Sequence, residues 1–173
     1  MVKIKSDFSP ALGFFVLFVL AALVWYLFPT DSRQIRNQLK TMATQMSFVK
    51  QEHPLETIKR ARIVSKYIAK RLQVTFKHSE GFEEKDLSNT EVQQYIIAAS
   101  KHIAPSEVSL KDFNITVKGR KASANFTAII DRLTTEEGSQ AILESYAQEL
   151  ETEWVKEGSD WKLIQINNVE VIE

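Results

Sequence analysis

Three histidines are the side chains of this 173-residue chain best suited to moving a proton near neutral pH. His53 precedes a proline, His78 ends a predicted strand and His102 lies in the last turn of a predicted helix. Each histidine equally suits a structural role, since a helix-terminal histidine complements the helix dipole and the other two lie at exposed ends. The sequence therefore assigns no catalytic residue.

Other patterns that carry chemistry do not occur in the sequence. It contains no Gly-rich phosphate loop, nucleophile elbow, paired-carboxylate motif or metal-ligand spacing. It has no cysteine, which excludes disulfides, thiolate metal sites and a lipid-modified cysteine. Asp131 and Arg132, at the end of a predicted strand, are expected to form a surface ion pair. No metal ion or cofactor is expected, and an enzymatic role is unsupported but not excluded.

Aromatic side chains in the predicted helices and strands offer a second possible site. Five of them could line a pocket: Tyr67, Tyr95, Tyr146, Trp154 and Trp161. Large rings with one polar atom suit a mostly apolar pocket. Rings at these spacings are more often simply core residues, so both interpretations stay open.

The elements that must position these residues follow a long apolar run at the N-terminus. Residues 8–30 contain no charge, and residues 11–28 are almost wholly apolar. A helix of about 18 apolar residues can cross a bilayer, whereas the apolar part of a cleaved signal peptide is normally about 7–15 residues long. The sequence predicts a short tail at residues 1–9, an uncleaved transmembrane helix at residues 10–29 and a single domain at residues 30–173.

Basic residues flank the predicted anchor on both sides, so their count does not decide its orientation. A tail this short is easily retained in the cytoplasm while the following domain is exported. We therefore expect a single-pass protein of the bacterial inner membrane with its C-terminal domain in the periplasm, or more generally outside the cytoplasm.

Charge is balanced over the whole chain, with 22 basic and 22 acidic residues, but its halves differ. Residues 31–104 carry 13 basic and 8 acidic side chains, and residues 105–173 carry 7 and 13. A nucleic-acid-binding protein usually has a net basic footprint, so no nucleic-acid partner is expected.

A second predicted helix, from Pro54 to residue 72, concentrates basic side chains. Five of them could face anionic lipid headgroups: Lys59, Arg60, Arg62, Lys66 and Lys70. Each such residue is worth about 1 kcal/mol near the anionic headgroups on the cytoplasmic side of a membrane. A solvated helix face is the simpler interpretation of the same charges.

Spacing of apolar residues predicts the remaining elements. A first helix begins at residue 32, and a third begins at a capping box formed by Ser88 and Glu91. Between the second and third helices, residues 72–78 alternate as a short strand, and residues 79–87 are predicted to be an acidic loop.

Beyond Pro105 the apolar period changes from 3.6 to 2, which predicts strands. The first two form a hairpin around Gly119, and the buried face of the second carries alternate residues: Ala122, Ala124, Phe126, Ala128 and Ile130. Residues 140–156 fit either a helix or a strand. The strand is preferred because the final strand, at residues 161–172, needs an antiparallel partner.

This element order ends in a hairpin of sequence WVKEGSDWKLI at residues 154–164, and it resembles the nuclear transport factor 2-like, or SnoaL-like, superfamily. The resemblance covers residues 32–173. It implies an α+β fold in which three helices pack on a curved antiparallel sheet to form a cone. The family uses the open end of that cone as a ligand pocket, an active site or a subunit interface, so the fold alone does not choose among them.

We therefore expect a membrane-anchored, non-catalytic binding or assembly domain, an accessory or scaffold component of a bacterial envelope complex. Its partners would be the bilayer, through residues 10–29, and another protein or further copies of the chain. The alternative is a membrane-tethered small-molecule-binding protein or SnoaL-like enzyme that uses the cone cavity.

Overall fold

The computed structural model describes residues 16–19, 30–48, 53–78, 81–102, 105–134 and 141–169. The chain divides after Thr30 into two compact units. In the first unit, residues 16–19 are helical and their apolar side chains are exposed, and the rest of the predicted anchor lies outside the described residues. Among the residues that the structure describes, no helix is both long enough and apolar enough to span a bilayer.

Three amphipathic helices are described in the second unit: α1 (Asp31–Met46), α2 (Pro54–Ser65) and α3 (Asn89–His102). α1 buries the stripe that its spacing predicts, which includes Ile35, Leu39 and Met42. α3 begins at the predicted capping box, where the Glu91 carboxylate accepts the backbone N–H of Ser88 at 2.7 Å. The Ser88 hydroxyl in turn accepts the backbone N–H of Glu91 at 3.3 Å.

The described strands form one six-stranded sheet, which the helices cover on one face. They are β1 (Ile68–His78), β2 (Gly81–Ser88), β3 (Ser106–Lys118), β4 (Lys121–Leu133), β5 (Ile142–Glu157) and β6 (Asp160–Val169). Their order across the sheet is β2-β1-β6-β5-β4-β3. All neighbours are antiparallel except β1 and β6, which run parallel, so the sheet is mixed and the expectation of a purely antiparallel sheet is wrong in this pairing. β1 enters the sheet from a helix, and no hairpin turn obliges it to run antiparallel to β6.

The second helix is shorter than predicted. α2 ends at Ser65, and after a two-residue turn β1 begins at Ile68, so the predicted extension of the helix to residue 72 is wrong. Ile68 and Leu72 are both buried, and their spacing of four residues fits one face of a helix as well as one face of a strand. The tertiary structure decides between the two, since Ile68 pairs with Leu163 of β6.

The predicted acidic loop is instead a strand. β2 pairs antiparallel with β1 over its whole length and forms one edge of the sheet. Its charged side chains are exposed, and the Arg71 guanidinium of β1 lies 2.7 Å from the Asp86 carboxylate. Charged residues are common on edge strands because they prevent unwanted pairing with other chains.

The other strands agree with the sequence pattern. β3 and β4 form the predicted hairpin, with Gly119 at φ 61° in its turn, and β5 is a strand rather than a helix. The face of the sheet that packs on the helices, here called the inner face, carries Ala124, Phe126 and Trp154. These side chains and the buried faces of the helices form one core.

Candidate functional site

Along most of β4 the inner face of the sheet is buried in the core, but near the end of that strand the inner face is exposed to solvent. Ala124 and Ala128 are 0 % and 6 % exposed, whereas Ile130, two residues further on, is 39 % exposed. Its cross-strand partner Tyr146 is 49 % exposed. Because paired residues of antiparallel strands share a face, both lie on the inner face where the core ends. Ile130 is therefore on the predicted face but is not buried.

Two more apolar side chains are exposed at the start of β5, where the pairing with β4 has a register shift between Arg132 and Leu133. Ile142 and Leu143 are 62 % and 66 % exposed. We call the four residues Ile130, Ile142, Leu143 and Tyr146 the apolar end of the sheet. Several large apolar side chains exposed at one end of a sheet make that end a candidate surface for binding other molecules.

Polar groups lie within the same end of the sheet. The Arg132 guanidinium lies 3.1 Å from the Glu144 carboxylate, its cross-strand partner. The phenol of Tyr146 donates to the same carboxylate, which raises the pKa of Tyr146, while Arg132 opposes this effect. The Tyr146 phenol, the Glu144 carboxylate and the Arg132 guanidinium can together hold a polar atom of a ligand or partner. The sequence analysis did not identify Glu144 as a site residue. Its pairing with Arg132 depends on the register of β4 and β5, which the sequence alone does not give.

The expected ion pair between Asp131 and Arg132 does not form. Successive residues of a strand point to opposite faces, so Asp131 lies on the outer face, where its carboxylate accepts a hydrogen bond from the Ser145 hydroxyl at 2.5 Å. Arg132 points to the inner face and pairs with Glu144. The charges of Asp131 and Arg132, which are adjacent in the sequence, therefore lie on opposite faces of the sheet.

The histidines lie at the ends of elements. The His53 imidazole accepts the backbone N–H of Leu55 at 3.3 Å and caps α2, whose first residue is a proline. His102 is exposed in the last turn of α3, and the His78 side chain lies outside the described part of the structure. Among the described residues, no group of three or more His, Asp or Glu side chains could hold a metal ion.

The five aromatic candidates are distributed between the core and the surface. Trp154 and Trp161 are both 0 % exposed, and Tyr67 is half-buried against the core. The Trp154 indole N–H donates to the Thr152 hydroxyl at 3.0 Å, so its polar atom is satisfied within the core. Tyr95 on α3 and Tyr146 on β5 are the two that remain accessible to another molecule.

The five basic candidates do not share one helix. Lys59, Arg60 and Arg62 lie on α2, but Lys66 is in the following turn and Lys70 is on β1, because the helix ends at Ser65. Arg60 donates to the backbone carbonyls of Thr44 and Ser47 at 3.3 and 2.8 Å, and so caps the C-terminus of α1. The predicted continuous basic helix face therefore does not exist.

A further polar cluster lies at the opposite end of the sheet from the apolar end. The Lys156 ammonium is 2.6 Å from the Asp31 carboxylate, which also accepts the Trp161 indole N–H at 3.0 Å. The Arg120 guanidinium donates to the backbone carbonyl of Lys156 at 2.9 Å. These bonds join the first turn of α1 to the β3–β4 and β5–β6 turns.

The fold is that of the nuclear transport factor 2-like proteins, which also has been described as cystatin-like. The chain superimposes on the Kfla4162 protein of Kribbella flavida with a TM-score of 0.63 at 12% identity, covering 82% of this chain and 91% of that one. A putative scytalone dehydratase of Novosphingobium aromaticivorans gives a TM-score of 0.58 at 8% identity, with 81% and 83% covered. A putative dehydratase of the NTF2-like family from Streptomyces avermitilis gives 0.58 at 15% identity, with 84% and 100% covered.

No family model matches the sequence, and no curated protein matches it either. At these low identities the structural likenesses define the fold and not the activity.

Proposed function

We propose that this chain is a single-span membrane protein whose NTF2-like domain is a non-catalytic binding or assembly module, and that its apolar end takes the apolar surface of a protein partner or of a second copy. The observation that carries this proposal is the exposure of Ile130 and Tyr146 on a face that is otherwise the core of the domain. The uncharged run at residues 8–30 supports the membrane anchor.

The chemistry of the apolar end suits a protein interface. Removing apolar side chains from water contributes about 25 cal/mol per Å² of buried apolar surface, and Ile142 and Leu143 offer most of theirs. The Arg132–Glu144 pair lies beside them and is about half exposed, as polar groups at the rim of an interface are. Such a polar rim orients the two partners relative to each other, whereas the burial of the apolar side chains supplies the affinity.

We also place the domain outside the cytoplasm, in a bacterial envelope, with the anchor at residues 10–29. A reporter enzyme that is active only outside the cytoplasm, fused after Glu173, tests this orientation. Activity supports it, and an inactive but full-length fusion contradicts it.

The binding role is tested by comparing two substitutions at equally exposed leucines. Leu143→Lys adds a charge to the apolar end, and Leu55→Lys does the same on α2, where the leucine is 67 % exposed. We expect the detergent-solubilised protein to purify as a defined oligomer or with a stoichiometric partner. Leu143→Lys should abolish this association and Leu55→Lys should preserve it. A monomer without partners in the unsubstituted protein would contradict the proposal.

A second candidate is a small-molecule-binding or SnoaL-like role, which is favoured by the exposed Tyr146 phenol beside the Arg132–Glu144 pair. The Tyr146 phenol can donate a hydrogen bond to a carbonyl oxygen when it leaves the Glu144 carboxylate, which the Arg132 guanidinium continues to hold. Binding of an aromatic ketone, measured by calorimetry on the full chain in detergent, tests this role. It should weaken in Tyr146→Phe and not in Leu55→Lys, and undetectable binding to the unsubstituted protein would eliminate this candidate.

A further inference from the structure

Two Asn-x-Thr triplets lie in the β3–β4 hairpin. Residues 114–116 (Asn-Ile-Thr) are on β3, and residues 125–127 (Asn-Phe-Thr) are on β4. This triplet is the acceptor sequence of N-linked glycosylation, in which the asparagine side chain receives a sugar. Because so short a pattern also occurs by chance, the position of each asparagine in the sheet decides whether it is an acceptor.

Both asparagines lie on the outer face of the sheet, opposite the inner face that the described helices cover. Phe113 and Ile115 pack against the core, so Asn114 between them points to the outer face. Asn125 lies between two buried residues of β4 and points the same way. Both asparagines are exposed, and neither side-chain amide is hydrogen-bonded to a residue that the structure describes. A sugar attached to either one would therefore extend into water.

The two strands differ in how easily a transferase can hold them. β3 is the last described strand of the sheet, whereas β4 is paired on both sides, with β3 and β5. The pairing of β3 with β4 also shifts register between Lys111 and Asn114, where Asp112 has φ 55°. Such a bulge interrupts the ladder of hydrogen bonds, so the backbone just before Asn114 is less firmly paired than a regular strand. The acceptor segment on β3 is therefore the more accessible of the two.

The side chains around Asn114 also suit recognition by a transferase. The exposed hydroxyl of Thr116 lies on the same face of β3, because residues two apart on a strand share a face. Asp112, two residues before the acceptor, is exposed and offers a carboxylate to a cationic group of the enzyme. Bacterial oligosaccharyltransferases use an acidic residue at this position. The residue two positions before Asn125 is Ser123, which carries no charge.

We infer that Asn114 is an N-glycosylation site and that Asn125 is not, an inference that rests on the proposed location of the domain outside the cytoplasm. The sugar donor is an oligosaccharide linked to a lipid through pyrophosphate. The side-chain nitrogen of Asn114 forms a bond to C1 of the first sugar, the bond from C1 to the pyrophosphate oxygen breaks, and the nitrogen loses one proton to a base of the transferase. The lipid pyrophosphate leaves, and nothing is oxidised or reduced.

A sugar on Asn114 limits what else the outer face can do. Asn114 and Asn125 are cross-strand partners, with Cβ atoms about 5 Å apart, so a sugar on the first covers the second. Each chain therefore carries one sugar chain in this hairpin. The apolar end keeps Ile130 and Tyr146 on the inner face, so glycosylation leaves these two side chains accessible to a partner.

The test produces the full chain in a bacterial host that carries an oligosaccharyltransferase and its lipid-linked oligosaccharide. A tag of sequence Asp-Gln-Asn-Ala-Thr after Glu173 serves as an accessible acceptor in the same molecule. Trypsin separates the two candidates, because cleavage at lysine and arginine releases residues 112–118 and residues 122–132 as different peptides. We expect mass spectrometry to find the oligosaccharide on the tag and on residues 112–118, and not on residues 122–132.

Substitutions complete the test. Asn114→Gln, Thr116→Val and Asp112→Asn should each abolish glycosylation of residues 112–118, whereas the matched controls Thr116→Ser and Asn125→Gln should retain it. Sugar on the tag but not on residues 112–118, or sugar on residues 122–132, would overturn this inference and leave the proposed location intact. A full-length chain without sugar on either the tag or residues 112–118 would overturn the proposed location and this inference with it.

Discussion

The Lys156 ammonium lies 2.6 Å from the Asp31 carboxylate and so links the last hairpin of the sheet to the first residue of α1. The hydrogen bond from Lys156, followed by that from Trp161, holds the pKa of Asp31 below its ordinary value of 3.8. A lowered pKa in the folded state means that the carboxylate stabilises the fold above its unfolded-state pKa. This contribution is lost as the pH falls through the folded-state pKa.

We therefore expect Asp31→Asn to lower the free energy of unfolding at neutral pH by up to about 1 kcal/mol, because the pair is only partly shielded from water. The difference between the variant and the unsubstituted protein should shrink below about pH 4. Urea unfolding followed by tryptophan fluorescence measures both effects. Asp160→Asn, in the same hairpin, is the control and should unfold like the unsubstituted protein; a difference that persists at low pH would argue against this role.

Thr152 is a buried hydroxyl with two partners. It donates to the Ala124 carbonyl at 3.0 Å and accepts the Trp154 indole N–H at 3.0 Å. Thr152→Val keeps the volume but leaves the indole N–H without an acceptor, which costs about 1–3 kcal/mol. Thermal unfolding should show this loss, and Thr116→Val, at an exposed position on β3, should show little change. Equal stability of the two variants would mean that the indole finds another partner.

Arg60 caps the C-terminus of α1 from α2. Its guanidinium donates to the carbonyls of Thr44 and Ser47, so Arg60→Ala should lower the free energy of unfolding by about 1.5–3 kcal/mol. Lys59→Ala removes a neighbouring charge whose pair with Glu56 is long and exposed, at 3.8 Å, and should change stability by less than about 0.5 kcal/mol. Urea unfolding of the two variants measures the difference. Similar values for both would show that Arg60 acts only as a surface charge.

The pKa of Tyr146 depends on two charged side chains beside it, Glu144 and Arg132. Because the Glu144 carboxylate accepts a hydrogen bond from the Tyr146 phenol and so raises its pKa, Glu144→Gln should move the pKa of Tyr146 down toward its ordinary value of 10.0. Arg132→Gln should move it up, since the guanidinium favours the phenolate. The difference in phenolate absorbance between each variant and its Tyr146→Phe counterpart, recorded as the pH is raised, measures both shifts. Shifts of the same sign would contradict the arrangement described here.

Hairpins could be predicted from the sequence because their signals are local. Gly119 and the alternation on either side of it define β3 and β4, and the Gly158 turn requires β5 to be a strand despite its helix-compatible spacing. The start of β1 could not be predicted in this way. Ile68 and Leu72 suit both periods, and only the pairing of Ile68 with Leu163, far along the chain, makes this segment a strand.

The exposure of side chains at the apolar end could not be predicted from the sequence either. Ile130 continues the alternation of Ala124, Phe126 and Ala128, so its pattern predicts a core residue. Its exposure depends on where the helices stop covering the sheet, which is a property of packing and not of spacing. For the same reason, Arg132 and Glu144 could be recognised as a pair only once the register of β4 and β5 was known.

The parallel pairing of β1 with β6 governs the order in which the domain can be assembled during synthesis. β6 lies between β1 and β5, so the β1–β2 hairpin has no neighbour in the larger sheet until the last strand has left the ribosome. Contacts between residues so distant in the sequence form slowly, and the strand edges that β6 will cover remain unpaired until β6 is available. A chain that stops before Trp161 should thus yield two disconnected fragments of sheet, and a chaperone that shields them would have its greatest effect on nascent chains that have not yet reached this residue.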